Sequence, residues 1–293
     1  MTSDLEGEQV LAAEVPARSR RRRHIGGVDL LVKILPVIGL FLLWEVVVRV
    51  FSIPTYQLPA VSALFSKLWS WTQSGDLFLH SGSTIFRSLA GIVAASAVGI
   101  AMGLVMAWYR PMERLLDYLV AGSYAVPKVA TIPLFIVWLG VGETPKLAIS
   151  FVGALYPILL NTIVGVKGVE PILIKAARDL GATDRQLFWE VILPGALPTI
   201  LVGLKIGAGT SFVVVVATEM MLANSGLGYL IATSASILAL DGVFSGLVVL
   251  AFIGVIIFSM VDALERLMVP WHVELRHAAR ASGAAARATR GSL

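Results

Sequence analysis

Between two long apolar stretches, residues 170–198 read EPILIKAARDLGATDRQLFWEVILPGALP. Pro171 suits the first position of a helix, and Gly181 suits the position just past its end, where a positive φ costs little. Thr183, with Gln186 three residues later, predicts a capping box at the start of a second short helix. We therefore predict a helix, a tight turn and a second helix in this segment, which we name the polar loop.

The two helices of the polar loop carry different signals. The apolar residues of the first helix recur at the spacing of one helical face: Leu173, Ala177 and Leu180. The second helix is predicted to extend through Glu190, because Pro194 and Pro198 follow and each lacks a backbone donor. The segment is too polar to lie in lipid. Its pattern alone fits a docking surface for a protein partner and an ordinary amphipathic loop equally well.

The rest of the chain has the composition of an integral membrane protein. Hydrophobic residues make up 57% of the 293 residues, charged residues make up 14%, and the mean hydropathy is +0.84. A helix of about 20 residues crosses the hydrocarbon layer. Six windows have this length and character: 34–51, 85–108, 117–139, 147–166, 197–222 and 243–263. Small residues recur in them at spacings that let helices approach closely, namely Gly99, Gly103, Gly203 and Gly207. The predicted fold is an all-α membrane protein with six transmembrane helices.

Lysine and arginine are distributed unevenly among the connections between these windows. They are concentrated before the first window and after the second, fourth and sixth, and they include Arg20–Arg23, Arg110, Arg114, Lys175, Arg178 and Arg266. Residues 223–241 contain neither. Because cytoplasmic connections are enriched in these residues, both termini and the polar loop are predicted to be cytoplasmic. The run Arg20–Arg23 is then a membrane-flanking anchor, and no nucleic-acid partner is expected.

The ends of the chain differ from its centre. Residues 1–27 and 277–293 are rich in Ala, Arg and Ser without an apolar period, so both tails are predicted to be disordered. Residues 28–57 are interpreted as a first anchor helix that is retained, since no small-residue cleavage site follows it. The absence of Cys excludes disulfides and thiolate metal sites, and four scattered histidines form no ligand cluster. We expect no metal site.

Catalytic motifs are absent from the sequence. It contains no GxxxxGK[ST], so it cannot hold nucleotide phosphates in the P-loop manner, and it contains no HExxH or GxSxG. We therefore predict that the chain is not an enzyme and needs no cofactor of its own. Any ATP that drives it would be bound by a partner subunit.

The third window contains an irregular segment with a cation at its centre. Lys128 lies between Pro127 and Pro133, and a broken segment at membrane depth is tolerated only against protein or a water-filled cavity. Lys128 could therefore face the translocation path and attract an anion. Alternatively, it could reach back to carbonyl groups that Pro133 leaves free.

Other ionisable residues in the windows are further candidates for a translocation path, because charges inside a membrane are functional by default. Lys205 and Glu219 share one helix face about four turns apart. Glu219 could line the path or hold an outer gate, and equally it could tie down the connection Asn224–Tyr229. Arg87 and Lys167 lie near window ends, from which long side chains can extend to the interface.

The polar loop resembles the EAA loop of ABC importer permeases. That pattern has an acidic residue, two alanines, a glycine and a downstream Leu-Pro; here the matching residues are Lys175, Ala176, Ala177, Gly181, Ile192, Leu193 and Pro194. Lys175 departs from it, since the family usually has Glu there. The resemblance implies a coupling helix that docks on a cytoplasmic ATPase subunit, with these coupling residues: Lys175, Ala176, Ala177, Arg178, Gly181, Leu193 and Pro194. Because of Lys175, the docking is expected to rest on Ala177 and Gly181.

Further strings resemble the SsuC/TauC/NrtB branch of these permeases. They include LPAVSALFSKLW at 58–69, VPKVATIPLFIVWLGVGETPK at 126–146 and ATEMMLANSGLGYLI at 217–231. The resemblance implies a type I importer domain over 78–265, in a multi-pass protein of the bacterial inner membrane. It also implies a permease homodimer on an ATPase dimer, with solute supplied by an extracytoplasmic binding protein.

The solute implied by this branch is small and anionic, of the sulfonate, taurine or nitrate type. A pyrimidine precursor of thiamine, carried by the same machinery, is an alternative. An ion-coupled secondary carrier is another, although such a carrier should show internal repeats and paired midplane charges.

Overall fold

The computed structural model describes residues 27–222 and 224–270, and within them it contains helices and no strand. The all-α prediction is therefore confirmed. The helices are α1 Gly27–Val50, α2 Val61–Ser74, α3 Asp76–Trp108, α4 Arg110–Ala125, α5 Ile132–Leu139, α6 Glu143–Lys167, α7 Pro171–Asp179, α8 Asp184–Leu222, α9 Leu227–Ser236 and α10 Leu240–Met268. The predictions for the two tails concern residues that lie, apart from Gly27, outside this range.

Four of the described helices, α3, α6, α8 and α10, are long and apolar enough to cross a membrane. A fifth span is formed if α4 and the segment Lys128–Leu139 count together, although they meet at 90°. This bend confirms the predicted break in the third window. Helix α1 covers all but the last residue of the first window, 34–51, and a sixth crossing there stays a prediction. The chain divides at Val48 into two units, and the second contains α2 to α10.

The centre of the second unit is the packing of α6 between α3 and α8. Two of the predicted glycines show how close this packing is. A Cβ on Gly103 of α3 would lie 2.6 Å from the Thr162 Cβ, and one on Gly207 of α8 would lie 3.0 Å from the Ala154 carbonyl oxygen. The buried hydroxyl of Ser150 adds a polar link, since it donates to the Arg87 carbonyl at 2.9 Å. Close backbone approach therefore fixes the three helices against one another.

The predicted end of the second loop helix is wrong. Helix α8 begins at Asp184 and continues to Leu222 through both Pro194 and Pro198. Residues Leu187–Ile192 form a wide π-helical turn that ends two residues before Pro194. Such a turn changes the backbone hydrogen-bond register, so the proline ring and its missing donor are accommodated without a break. The polar loop is therefore continuous with a membrane-spanning helix.

The short helix α9 lies at the far end of α8 from the polar loop. It packs against α8 and α10, while α2 packs against α10 nearby. Ser234 of α9 is 8% exposed, and a Cβ on Gly242 of α10 would lie 2.8 Å from the Ser234 Cβ. Helix α9 is thus held closely along one face.

Candidate functional site

The first helix of the polar loop ends in the conformation that the sequence predicts. Gly181 has φ +82°, its N–H donates to the Arg178 carbonyl at 2.9 Å, and the N–H of Ala182 donates to the Ala177 carbonyl at 3.0 Å. This pair of bonds is the Schellman arrangement. The Thr183 hydroxyl accepts from the Gln186 N–H at 3.3 Å, and the Gln186 side chain accepts from the Thr183 N–H at 3.0 Å. The turn is therefore fixed at both sides.

The face that α7 buries differs from the predicted one. Ile174 and Ala177 pack, together with Leu193, on an apolar cluster that includes Leu187. Leu173 is 50% exposed and Leu180 is 88% exposed. Of the three residues of the predicted face, Ala177 packs on the bundle, while Leu173 and Leu180 remain exposed. The side of α7 that faces the bundle is therefore rotated from the predicted apolar face. Apolar side chains remain on the outer surface of the loop.

The other predicted coupling residues occupy two environments. Lys175, Ala176 and Arg178 are exposed on the outer side of α7, and Arg178 approaches Asp184 at 3.8 Å. Pro194 is half-buried at the base of the loop, within α8. The outer side of the loop therefore carries apolar and charged side chains, and the exposed charges have both signs, since Asp179 and Asp184 are exposed as well. Ala177, Leu193 and Pro194 support it from beneath.

Lys128 is held by the end of the preceding helix. Its ammonium donates to the carbonyl groups of Ser123 at 2.8 Å, Tyr124 at 2.9 Å and Val126 at 2.8 Å. It also lies 4.7 Å from the Tyr156 ring centroid. An ammonium group has three donors, and all three are used here. The group reaches back to carbonyls, as one alternative predicted, although these carbonyls belong to the end of α4 and not to the turn before Pro133.

Lys205 of α8 forms an ion pair with Asp262 of α10, and both side chains are about two-fifths exposed. The pair links two spanning helices at the surface of the bundle. The Lys205 ammonium is thus neutralised by a neighbouring carboxylate.

Glu219 lies in a buried charge network centred on Arg87. Arg87 donates to Glu219 at 2.6 Å, to both carboxylate oxygens of Glu143 at 2.6 and 2.7 Å, and to Ser225 through its carbonyl and hydroxyl at 2.8 and 2.7 Å. The side chains of Arg87 and Glu219 are 2% and 0% exposed. Glu143 is 52% exposed and also contacts Lys146 at 2.9 Å. The four charges balance, and the five guanidinium donors are all used.

The same network holds the beginning of α9. Three consecutive backbone N–H groups there each donate to a side chain: Gly226 to His80 Nδ1 at 2.9 Å, Leu227 to Thr84 Oγ1 at 2.9 Å and Gly228 to Glu219 Oε2 at 3.1 Å. The Thr84 hydroxyl donates in turn to the Glu219 carboxylate at 2.8 Å. Glu219 thus holds the connection before α9 in place, which is one of the two roles that the sequence left open for it.

Several members of this network were not found from the sequence. Arg87 was expected to extend to the interface, and that expectation is wrong, since its guanidinium is buried between α3, α6 and α8. Glu143, Lys146, His80 and Thr84 had no predicted role. A signal was present, because an arginine inside a span requires an acidic partner. Glu143 begins α6 and Glu219 lies near the end of α8. Because successive spans run in opposite directions, these two ends lie on the same side of the membrane. Lys167, by contrast, is exposed and pairs with Glu113.

Comparison with known proteins agrees with this architecture. The sequence profile of the family "Binding-protein-dependent transport system inner membrane component" matches residues 95–270. The chain is 36% identical to the taurine transport system permease protein TauC of Escherichia coli (strain K12) over 200 residues, which are 68% of this chain and 73% of that protein. It is 34% identical to the putative aliphatic sulfonates transport permease protein SsuC of the same organism over 238 residues, which are 81% of this chain and 90% of that protein.

A solved structure shows the same fold. The permease chain in an inward-facing structure of the MetNI methionine ABC transporter aligns with a TM-score of 0.58 and 20% identity, covering 68% of this chain and 97% of that one. The profile match spans more than half of the chain, and the two relatives add matches of substantial identity. This chain therefore belongs to the binding-protein-dependent transport system inner membrane component family and is an ABC importer permease of the SsuC/TauC branch.

Proposed function

We propose that this chain is the transmembrane subunit of an ATP-driven importer that carries a small anionic solute of the sulfonate, taurine or nitrate type into the cytoplasm. A separate ATPase dimer would bind and hydrolyse ATP, and an extracytoplasmic binding protein would deliver the solute to a permease homodimer. These partners are implied by the family. The names of the TauC and SsuC relatives support the solute class.

The observation that carries the proposal is the outer surface of the polar loop. Ile172, Leu173 and Leu180 are 69%, 50% and 88% exposed on a segment whose charged residues keep it out of lipid. A cluster of exposed apolar side chains bordered by charged residues is typical of a protein interface. A turn that is fixed by hydrogen bonds on both sides presents this surface rigidly, as a docking element must. We assign the surface to the ATPase subunit.

The continuity of α8 suggests how docking would become transport. The docking surface is fixed to Asp184 at one end of α8, and Glu219 lies near the other end of the same helix. When the ATPase dimer closes, the two loops of a permease dimer would move together, and α8 would transmit the motion as a rigid body. Access to the path would then switch from one side of the membrane to the other.

The two candidate cations contribute less to anion selection than the sequence suggested. The Lys128 ammonium is enclosed by three carbonyls, and the Lys205 ammonium faces Asp262. In this conformation the Lys128 ammonium has no free donor, and the Lys205 charge is balanced by a carboxylate. We therefore assign solute selection mainly to the binding protein.

Reconstitution in proteoliposomes tests the proposal. The purified permease, the ATPase and the binding protein are combined, and uptake of taurine, an alkanesulfonate, nitrate and an aminopyrimidine is measured with and without internal ATP. We expect uptake of one of the three anions that requires ATP and both partners. Uptake of the pyrimidine alone would support the alternative solute. Uptake driven by an ion gradient without the ATPase would show a secondary carrier and contradict the proposal.

Gly181 offers a test of the docking turn itself. No atom lies within 4 Å of a Cβ built on it, so a substitution acts through its backbone φ of +82° alone. A left-handed conformation costs an ordinary residue about 1–2 kcal/mol, whereas Asn tolerates it. We expect Gly181→Val to lower ATP-dependent uptake by about tenfold, as that strain converts to an equilibrium shift of this order. Its amount in the membrane should be unchanged.

Gly181→Asn is the matched control, since it adds a side chain of similar size without the same strain. It should retain most of the uptake. Equal transport by the two variants would exclude the turn from the docking surface.

A further inference from the structure

The Glu219 carboxylate is bound as a free oxyanion would be. It accepts hydrogen bonds from the Arg87 guanidinium at 2.6 Å, the Thr84 hydroxyl at 2.8 Å and the Gly228 N–H at 3.1 Å. A guanidinium, a hydroxyl and the N-terminus of a helix are the groups with which proteins recognise carboxylates and other oxyanions. The carboxylate is completely buried, so this site is closed to solvent.

The backbone at the start of α9 is shaped around this carboxylate. A Cβ on Gly228 would lie 2.7 Å from the Glu219 Cβ, and a Cβ on Gly226 would overlap the Glu219 carboxylate. Gly226 also has φ +112°, which ordinary side chains rarely adopt. The two glycines let the α9 backbone approach Glu219 of α8, which larger residues would keep at a distance, and the Gly228 N–H donates to it.

We propose that the Glu219 carboxylate, an oxyanion attached to α8, holds the start of α9 against α3 and α8, and we call this contact the latch. Glu219 is then a positioning residue and not a solute contact. The carboxylate is covalently part of α8, whereas its binding groups belong to α3 and to the first turn of α9. Helix α9 therefore moves with α8 for as long as the carboxylate remains in its site. Its importance for import rests on the proposed function, because α8 also carries the polar loop.

The second carboxylate of the network does not replace the first. Glu143 binds the opposite edge of Arg87, is half-exposed and makes no hydrogen bond to the α9 backbone among the described contacts. Loss of Glu219 would leave the Gly228 N–H and one guanidinium N–H of Arg87 without their buried acceptor. A buried group that loses its charged partner is strongly destabilised, so the beginning of α9 should detach.

Cysteine labelling can measure this detachment directly, because the chain contains no native Cys. Ser234→Cys places a thiol at a position that is 8% exposed between α9 and α10, and Ser236→Cys places one at an exposed position of the same helix. The full chain in lipid nanodiscs is treated with a water-soluble maleimide. We expect slow labelling at 234 and fast labelling at 236, since a buried thiol reacts only when its surroundings open.

The decisive variant is Glu219→Ala in the 234 background, which removes a group of the size of acetate. We expect labelling to accelerate about tenfold or more, as expected when a buried ion pair loses one member. Added acetate should restore protection in a saturable manner, whereas the neutral isostere acetamide should not. Equal effects of acetate and acetamide, or no effect of acetate on a labelled, folded variant, would overturn the proposal.

Two further variants cover the case in which Glu219→Ala does not fold. Glu219→Gln keeps the shape and removes the charge, and we expect faster labelling at 234 with unchanged labelling at 236. Glu219→Asp keeps the charge and should retain much of the protection. If the Gln variant is as protected as the unchanged protein, the charge has no latching role and the proposal fails.

Transport is measured separately, in the reconstituted system with the ATPase and binding protein. Failure of the unchanged protein to import any tested solute would contradict the proposed function, while the labelling result would still decide the latch. If the latch is correct and the importer is active, Glu219→Gln should lower ATP-dependent uptake without reducing the binding of the ATPase.

Discussion

Lys128 shows how strongly one residue's environment changes its interpretation. As a cation between two prolines it is a natural candidate for attracting an anion, yet its ammonium closes the C-terminal end of α4. Positive charge at the end of a helix offsets the partial negative charge of the unpaired carbonyls there. We infer that Lys128 stabilises the 90° bend between α4 and the segment that follows.

This stabilising role of Lys128 predicts a specific outcome for Lys128→Met. Loss of hydrogen bonds from a charged group costs about 1.5–3 kcal/mol each before relaxation, so thermal stability in nanodiscs should fall clearly. The KM for solute uptake should change by less than about twofold, because the ammonium is assigned to the end of α4 and not to the solute. A twofold change corresponds to about 0.4 kcal/mol of binding free energy. Lys128→Arg should recover part of the stability, since it retains the charge and several donors.

The opposite pattern would show a solute contact. An unchanged melting temperature with a KM raised by tenfold or more would mean that the ammonium leaves the three carbonyls and binds the anion during transport.

At the scale of helices, packing of α3 on α6 depends on particular glycines. Gly103 lies where a Cβ would approach the Thr162 Cβ to 2.6 Å, whereas Gly82 of the same helix has no atom within 4 Å of such a Cβ. Gly103→Ala should therefore separate the helices and destabilise the protein by about 1–3 kcal/mol. Gly82→Ala should be neutral or stabilising by up to about 1 kcal/mol, because Ala has the higher helix propensity.

Thermal unfolding of the two variants in the same detergent measures this difference. Equal melting temperatures would mean that α3 and α6 are not packed closely at Gly103. The comparison is clean because both changes add one methyl group to the same helix.

The sequence predicts helical elements well where the signal is local. Apolar windows locate the spanning helices, and Gly181, Thr183 and Gln186 predict the turn and the cap that are observed, because each acts within a few residues. The continuation of α8 through Pro194 and Pro198 could not be read in the same way. It depends on the wide turn at Leu187–Ile192, whose formation is decided by packing against the bundle and not by a local residue preference.

The buried charge network could not be predicted from the sequence for the same physical reason. Arg87, Glu143 and Glu219 lie on three different helices, and no spacing rule connects residues so far apart in the sequence. The alternatives for Glu219 could be stated from its position, but the choice between them required the position of the α9 backbone. Similarly, Arg266 lies one turn from Asp262 in the sequence, yet the observed ion pair of Asp262 is with Lys205 of another helix.

In the whole molecule, α8 is the element on which both proposals depend. The polar loop includes its first residues, and the carboxylate that holds α9 lies near its last. If the distribution of Lys and Arg sets the orientation, the loop is cytoplasmic and α9 is at the outer side. A single helix then connects the surface assigned to the ATPase with the end at which solute would arrive.

Thiol labelling in intact cells tests this orientation, again because the chain contains no Cys. Leu180→Cys lies in the polar loop at a position 88% exposed, and Ile237→Cys lies directly after α9 at one 76% exposed. An impermeant maleimide added outside should label position 237 and leave position 180 unlabelled until the membrane is opened. In opened membranes, addition of the ATPase should protect position 180 and leave position 237 reactive, since only the loop is assigned to the docking surface. Labelling of position 180 from outside would place the loop on the wrong side for any cytoplasmic ATPase, and the proposed coupling would have to be abandoned.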